Sequence, residues 1–119
     1  MTMEGMGDVN ASERRHRVLF VTDRGQRHQA AALEAAPPEL DVTMVRRPSR
    51  EELLRLLPEV EFLISERSGV VDAEMMAAGT RLRLIQRLGS LTYDIDLEAA
   101  RAAGIAVSAW PVRPAIMVA

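Results

Sequence analysis

At 119 residues, 48% of them apolar and 27% charged, the chain is long enough for one domain with a hydrophobic core and is ordinary in composition for a globular protein. A formal net charge of −2 argues against nucleic acid or an acidic membrane surface as its main partner. Cysteine and lysine are both absent, which excludes disulfides, thiolate metal sites, cysteine nucleophiles and Schiff-base chemistry.

Residues 1–16 contain no apolar segment like that of a signal peptide, and no run in the chain approaches the roughly 20 apolar residues of a membrane span. They are expected to form a disordered tail whose Glu13 to Arg17 cluster is a solvated charge run, and a cytoplasmic location fits. The ordered domain is expected over 17–110. Val18 to Val21 is short, apolar and β-rich, and reads as a buried strand. Gln26 to Ala36 are helix formers stopped by Pro37 and Pro38. Asp41 to Val45 reads as the second strand. Ser49 and Glu52 have capping-box spacing, ahead of a helix that carries Leu53, Leu54, Leu56 and Leu57 on its buried side and stops near Pro58. Glu61 to Ser65 is the third strand. Asp72 caps a helix running through Met76, with Gly79 as its left-handed stop; Met75 and Met76 read as core. Arg83 to Arg87 is the fourth strand. Asp94 or Asp96 caps a helix that ends at Gly104, and Ile105 to Ser108 is the fifth strand. Strands separated by helices must be parallel. The pattern therefore predicts a flavodoxin-like three-layer α/β sandwich with a five-stranded parallel sheet in the order 2-1-3-4-5.

In open α/β sheets ligands bind beyond the carboxyl ends of the strands. That rule selects the loops Thr22 to Gln26, Ser65 to Val70, Gly89 to Tyr93 and Ala109 to Pro114. The first lacks the Ser/Thr-rich phosphate loop of a flavodoxin. A phospho-receiver would need a lysine after the fifth strand, and there is none. Neither a P-loop nor G-x-G-x-x-G occurs, so no cofactor-binding residues are assigned. His16 and His28 lack partners at metal-ligand spacing and read as exposed, so no metal site is assigned. Trp110 either packs or lines a ligand mouth or partner surface. The loop Gly89-Ser90-Leu91 is the best candidate: successive N–H groups between a strand and a helix can converge on a carboxylate, and Gly89 permits close approach. An ordinary tight connection is the alternative. Arg67, at the neighbouring strand end, can add a bidentate contact or simply be a surface arginine.

Three segments then carry a resemblance: Leu82 to Gly89 (LRLIQRLG), Ile95 to Ala100 (IDLEAA), and Gly104 to Val107 (GIAV) followed by Pro111. Together they resemble the substrate domain of the D-isomer-specific 2-hydroxyacid dehydrogenases, strongly from Arg81 onward and in topology before that. The resemblance implies that Gly89, Ser90 and Leu91 hold a substrate carboxylate through main-chain N–H groups, with Arg67 approaching the substrate. It implies a small 2-hydroxy or 2-oxo acid as ligand and NAD(H) or NADP(H) as cofactor of the full-length family protein. The family loop reads G-x-G-x-D; here Leu91 stands at the second glycine and Tyr93 at the aspartate. The family's cofactor loop and catalytic Arg, Glu and His all follow the hinge, to which residues 111–119 correspond. The chain is therefore expected to hold no catalytic residue, to bind no cofactor alone and to be inactive by itself, as a truncated substrate domain. A homo-oligomer packed through the residues after Trp110 is expected. A free-standing binding or dimerisation module without enzymatic activity is the other reading.

Overall fold

Five strands form one sheet: β1 (His16–Thr22), β2 (Leu40–Arg46), β3 (Phe62–Glu66), β4 (Leu84–Leu88) and β5 (Ala106–Trp110). Every pair is parallel, and the order is β2-β1-β3-β4-β5, as the sequence pattern predicts. The computed structural model describes residues 15–67 and 69–110, with the backbone alone for Trp110. The expectations for the tail before Arg15, for residues 111–119 and for the Trp110 side chain lie outside these residues.

Four helices connect the strands: α1 (Gln26–Ala35), α2 (Arg50–Leu56), α3 (Ala73–Ala78) and α4 (Leu97–Ala103). Their ends follow local chemistry. Pro37 forces Ala36 out of the helical region, to ψ 136°. The Ser49 hydroxyl accepts from the Glu52 N–H at 3.1 Å, Asp72 accepts from Met75 at 3.1 Å, and Asp96 accepts from Ala99 at 3.0 Å. Asp96, not Asp94, is thus the cap of α4. Gly104 ends that helix in the left-handed region, at φ 75°.

Gly79 departs from expectation. Its φ is −85°, so it is not a left-handed stop. Short backbone turns close α3 instead, from Gly79 N–H to the Met75 carbonyl and from Leu82 N–H to the Gly79 carbonyl, each at 3.0 Å. Glycine matters there for space, because a Cβ would lie 3.2 Å from Leu82 Cβ. The helix α2 ends at Leu56, near Pro58 as its sequence predicts, and the chain then tightens into a single 3₁₀ turn, Leu57–Glu59, that contains the proline. His16, placed in the tail by its sequence position, is the first residue of β1. Its ring Nδ1 lies 2.9 Å from Glu61 Oε1, and the side chain is half-buried rather than exposed.

The core joins Leu19, Leu63 and Ile85 of the sheet to Leu57, Met75, Met76 and Ala100 of the helical layer. Leu53, Leu54 and Leu56 pack against it, on the side of α2 that the leucine spacing indicated. Along β3 and β4 the buried positions are Leu63, Ser65, Ile85 and Arg87. The inward face therefore turns polar only at the carboxyl ends of the strands, where the loops gather.

Candidate functional site

Ser65 and Arg87 are register partners on adjacent strands, and both face the buried side of the sheet. Arg87 is 0% exposed. Its Nη2 donates to Ser65 Oγ at 3.1 Å and to the Gly69 carbonyl at 3.0 Å. Its Nη1 donates to the carbonyls of Arg67 (3.2 Å) and Leu91 (2.9 Å) and to Asp94 Oδ1 at 2.7 Å. A buried charge is tolerated only when it is paired and its donors are used. Here Asp94 supplies the countercharge, and among the described residues only Nε lacks a partner. Burial alone would push the Asp94 carboxyl up. The Gly69 N–H, donating at 2.8 Å, and the Arg87 guanidinium outweigh that and hold it below the usual aspartate range.

The loops after β3 and β4 are zipped together around this pair. Val71 N–H donates to the Asp94 carbonyl at 3.0 Å and Asp96 N–H to the Val71 carbonyl at 2.9 Å, extending the parallel pairing past the strand ends. Asp94 therefore belongs to the loop's interior. The carboxylate missing at Tyr93 is present one position later.

The sequence-selected residues meet on the outer side of this assembly. Gly89 has φ 150°, open essentially to glycine alone, and a Cβ on it would lie 3.4 Å from Arg67 Cα. Arg67 N–H donates to the Leu88 carbonyl at 3.0 Å, and its own φ is 65°, a strained value for arginine. Gly89 and Arg67 are thus brought into contact. Ser90 and Leu91 follow in an exposed turn, with Leu91 61% accessible. Among the described residues neither of their N–H groups has an intramolecular acceptor, and the Arg67 guanidinium makes no hydrogen bond. Tyr93 and Val70 are also exposed.

Sequence reasoning gave Arg87 no site role and took Asp94 only as a possible helix cap. The available signal was an arginine at an inward strand position, two residues after Ile85, where only a paired charge can reside. The loop after β1 has its own cluster: the Thr22 hydroxyl donates to Glu66, and Arg24 Nε donates to the same carboxylate at 3.1 Å. His28 is exposed, with Nε2 3.4 Å from Arg24 Nη1. No group of three metal-ligating side chains occurs among the described residues, and no helix there is long and apolar enough to cross a membrane.

Comparison with known proteins meets this geometry. Over 90 residues, covering 76% of this chain, it is 32% identical to a D-3-phosphoglycerate dehydrogenase of Mycobacterium leprae. It is 33% identical over 83 residues, or 70% of the chain, to a hydroxypyruvate reductase of Thermotoga maritima. The chain spans only 16% of the first relative's length and 27% of the second's. The fold matches the crystal structure of the NAD⁺-bound 3-phosphoglycerate dehydrogenase of Entamoeba histolytica with a TM-score of 0.69. That match covers 82% of this chain and 33% of the other, at 23% identity. Residues 18–119 match the family described as D-isomer specific 2-hydroxyacid dehydrogenase, catalytic domain, and the chain belongs to that family.

Proposed function

We propose that this chain supplies the substrate-carboxylate side of an NAD-dependent D-2-hydroxyacid dehydrogenase, receiving a small 2-hydroxy or 2-oxo acid on the N–H groups of Ser90 and Leu91. The observation that carries this reading is the asymmetry of the β4 loop. The Leu91 carbonyl turns inward to Arg87, while the N–H groups of Ser90 and Leu91 stay uncommitted among the described residues. Backbone donors held in this way bind an anion without reorganising. The exposed Arg67 is a second, weaker contact.

Among the described residues, the first strand-to-helix turn does not fit a dinucleotide. The β1–α1 turn, Thr22 to Gly25, has a single glycine, and its Arg24 N–H is already used by Thr22 Oγ1 at 3.0 Å. No step of hydride transfer is assigned to these residues, and none is a catalytic residue. Their contribution is to bind and orient: fixing the carboxylate fixes the adjacent C2, whose geometry a hydride transfer requires.

Titration of the ¹⁵N-labelled chain with formate and with pyruvate tests the reading. Saturable shifts of the Ser90 and Leu91 amides are expected, weakened but retained in Arg67→Ala. Unmoved amides at saturating anion, or complete loss in Arg67→Ala, would refute backbone capture.

A further inference from the structure

We infer that a second small-molecule site lies between the carboxyl ends of β1 and β3, and that it takes an uncharged, compact apolar molecule bearing one hydrogen-bond acceptor. The inference is independent of the anion reading and concerns a different strand pair. The sheet order reverses between β1 and β3, and such a switch point leaves a crevice because the flanking connections run to opposite sides. A cavity of about 270 Å³ occupies that place, under the start of α2 and the loop after β3. By comparison, a dry cavity of about 150 Å³ is enough for benzene.

The lining sets the chemistry. Leu53, Leu63, Val71 and Met75 form an apolar wall. Every charged residue on the rim already has a partner. Arg47 Nε is 3.1 Å from Asp23, Arg50 Nη2 is 2.8 Å from Asp72, and Glu66 is held by Thr22 and Arg24. These pairs balance the charges on the rim, and an uncharged ligand enters without disturbing them.

One buried polar group remains under-used. Ser65, 3% exposed, accepts from Arg87 Nη2, but its own hydroxyl proton has no acceptor among the described residues. Ser65 lines the cavity. A ketone or amide oxygen entering with an apolar body would complete it. Because Ser65 and the Gly69 carbonyl share Arg87 Nη2, while Nη1 holds Leu91, an occupant is placed to be felt at the β4 loop.

Cyclohexanone and methylenecyclohexane, near-isosteres with and without the acceptor, provide the probe pair. Methyl-resolved NMR of the whole chain should show saturable shifts at Leu53, Leu63, Val71 and Met75 with both, and an affinity about fivefold higher for the ketone. Ser65→Ala should abolish that preference. Val70→Trp, a change at an exposed residue on the rim, should block both ligands and keeps the test decisive if Ser65→Ala does not fold. Absence of saturable shifts at these methyls, equal affinity for the two probes, or unaltered binding in Val70→Trp would overturn the proposal.

Discussion

Arg87→Met removes the guanidinium while keeping an unbranched apolar stem of similar reach. Five hydrogen bonds are lost: to Asp94 Oδ1, to Ser65 Oγ and to the carbonyls of Arg67, Gly69 and Leu91. Asp94, whose side chain is 10% exposed, is left with the Gly69 N–H as its remaining side-chain partner. Each stranded acceptor costs about 1–3 kcal/mol if it stays dry, but loops can relax toward water, so the terms do not sum. The governing quantity is the uncompensated buried charge, and breaking such a pair from one side costs about 3–5 kcal/mol. A single domain has about 5–15 kcal/mol in total, so the variant should lose a large share of its stability. Arg87→Lys keeps the charge and can still reach Asp94, but one nitrogen cannot serve both branches. A smaller loss of about 2 kcal/mol is expected. Urea unfolding followed by circular dichroism measures both, with the slope checked for two-state behaviour. A loss under about 1 kcal/mol in Arg87→Met at unchanged slope would show that the buried pair does not hold the two loops together.

Gly89→Ala should cost about 1–3 kcal/mol, because alanine at φ 150° is strained and its Cβ would meet the Arg67 backbone at 3.4 Å. The same variant should reduce the formate-induced shifts of Ser90 and Leu91, and unchanged stability and shifts would refute the close-approach argument. Acidification should destabilise the domain. The His16 hydrogen bond holds Glu61 below its usual value. For Asp72, burial pushes upward but the Met75 N–H and Arg50 prevail, and Asp94 is likewise depressed. A depressed carboxyl stabilises the fold above its unfolded value, near 4, and that contribution disappears as pH falls through the folded one. Urea midpoints between pH 7 and pH 3 should fall less steeply in Glu61→Gln than in the unaltered chain, and parallel profiles would rule out the His16–Glu61 contribution.

What the sequence determined by itself is whatever depends on neighbours along the chain. Alternating β-rich runs and helix formers predicted five parallel strands, and caps at Ser49 and Asp72 act across three residues, as does the glycine stop at Gly104. The position of the candidate loop was legible for the same reason, since a strand end, a glycine and a capped helix are all local signals. Tertiary structure decided the rest. The signs of φ at Gly79 and Arg67 depend on what packs beside them: Leu82 in one case, Leu88 and Gly89 in the other. Choosing between Asp94 and Asp96 as cap needed Arg87, which captures the first and leaves the second to α4. Arg87 in turn draws on partners 18 to 22 residues before it and 4 to 7 after it. No local propensity encodes that set. Only the parallel register of β3 and β4 brings those groups to one buried point, where the absence of water makes their pairing obligatory.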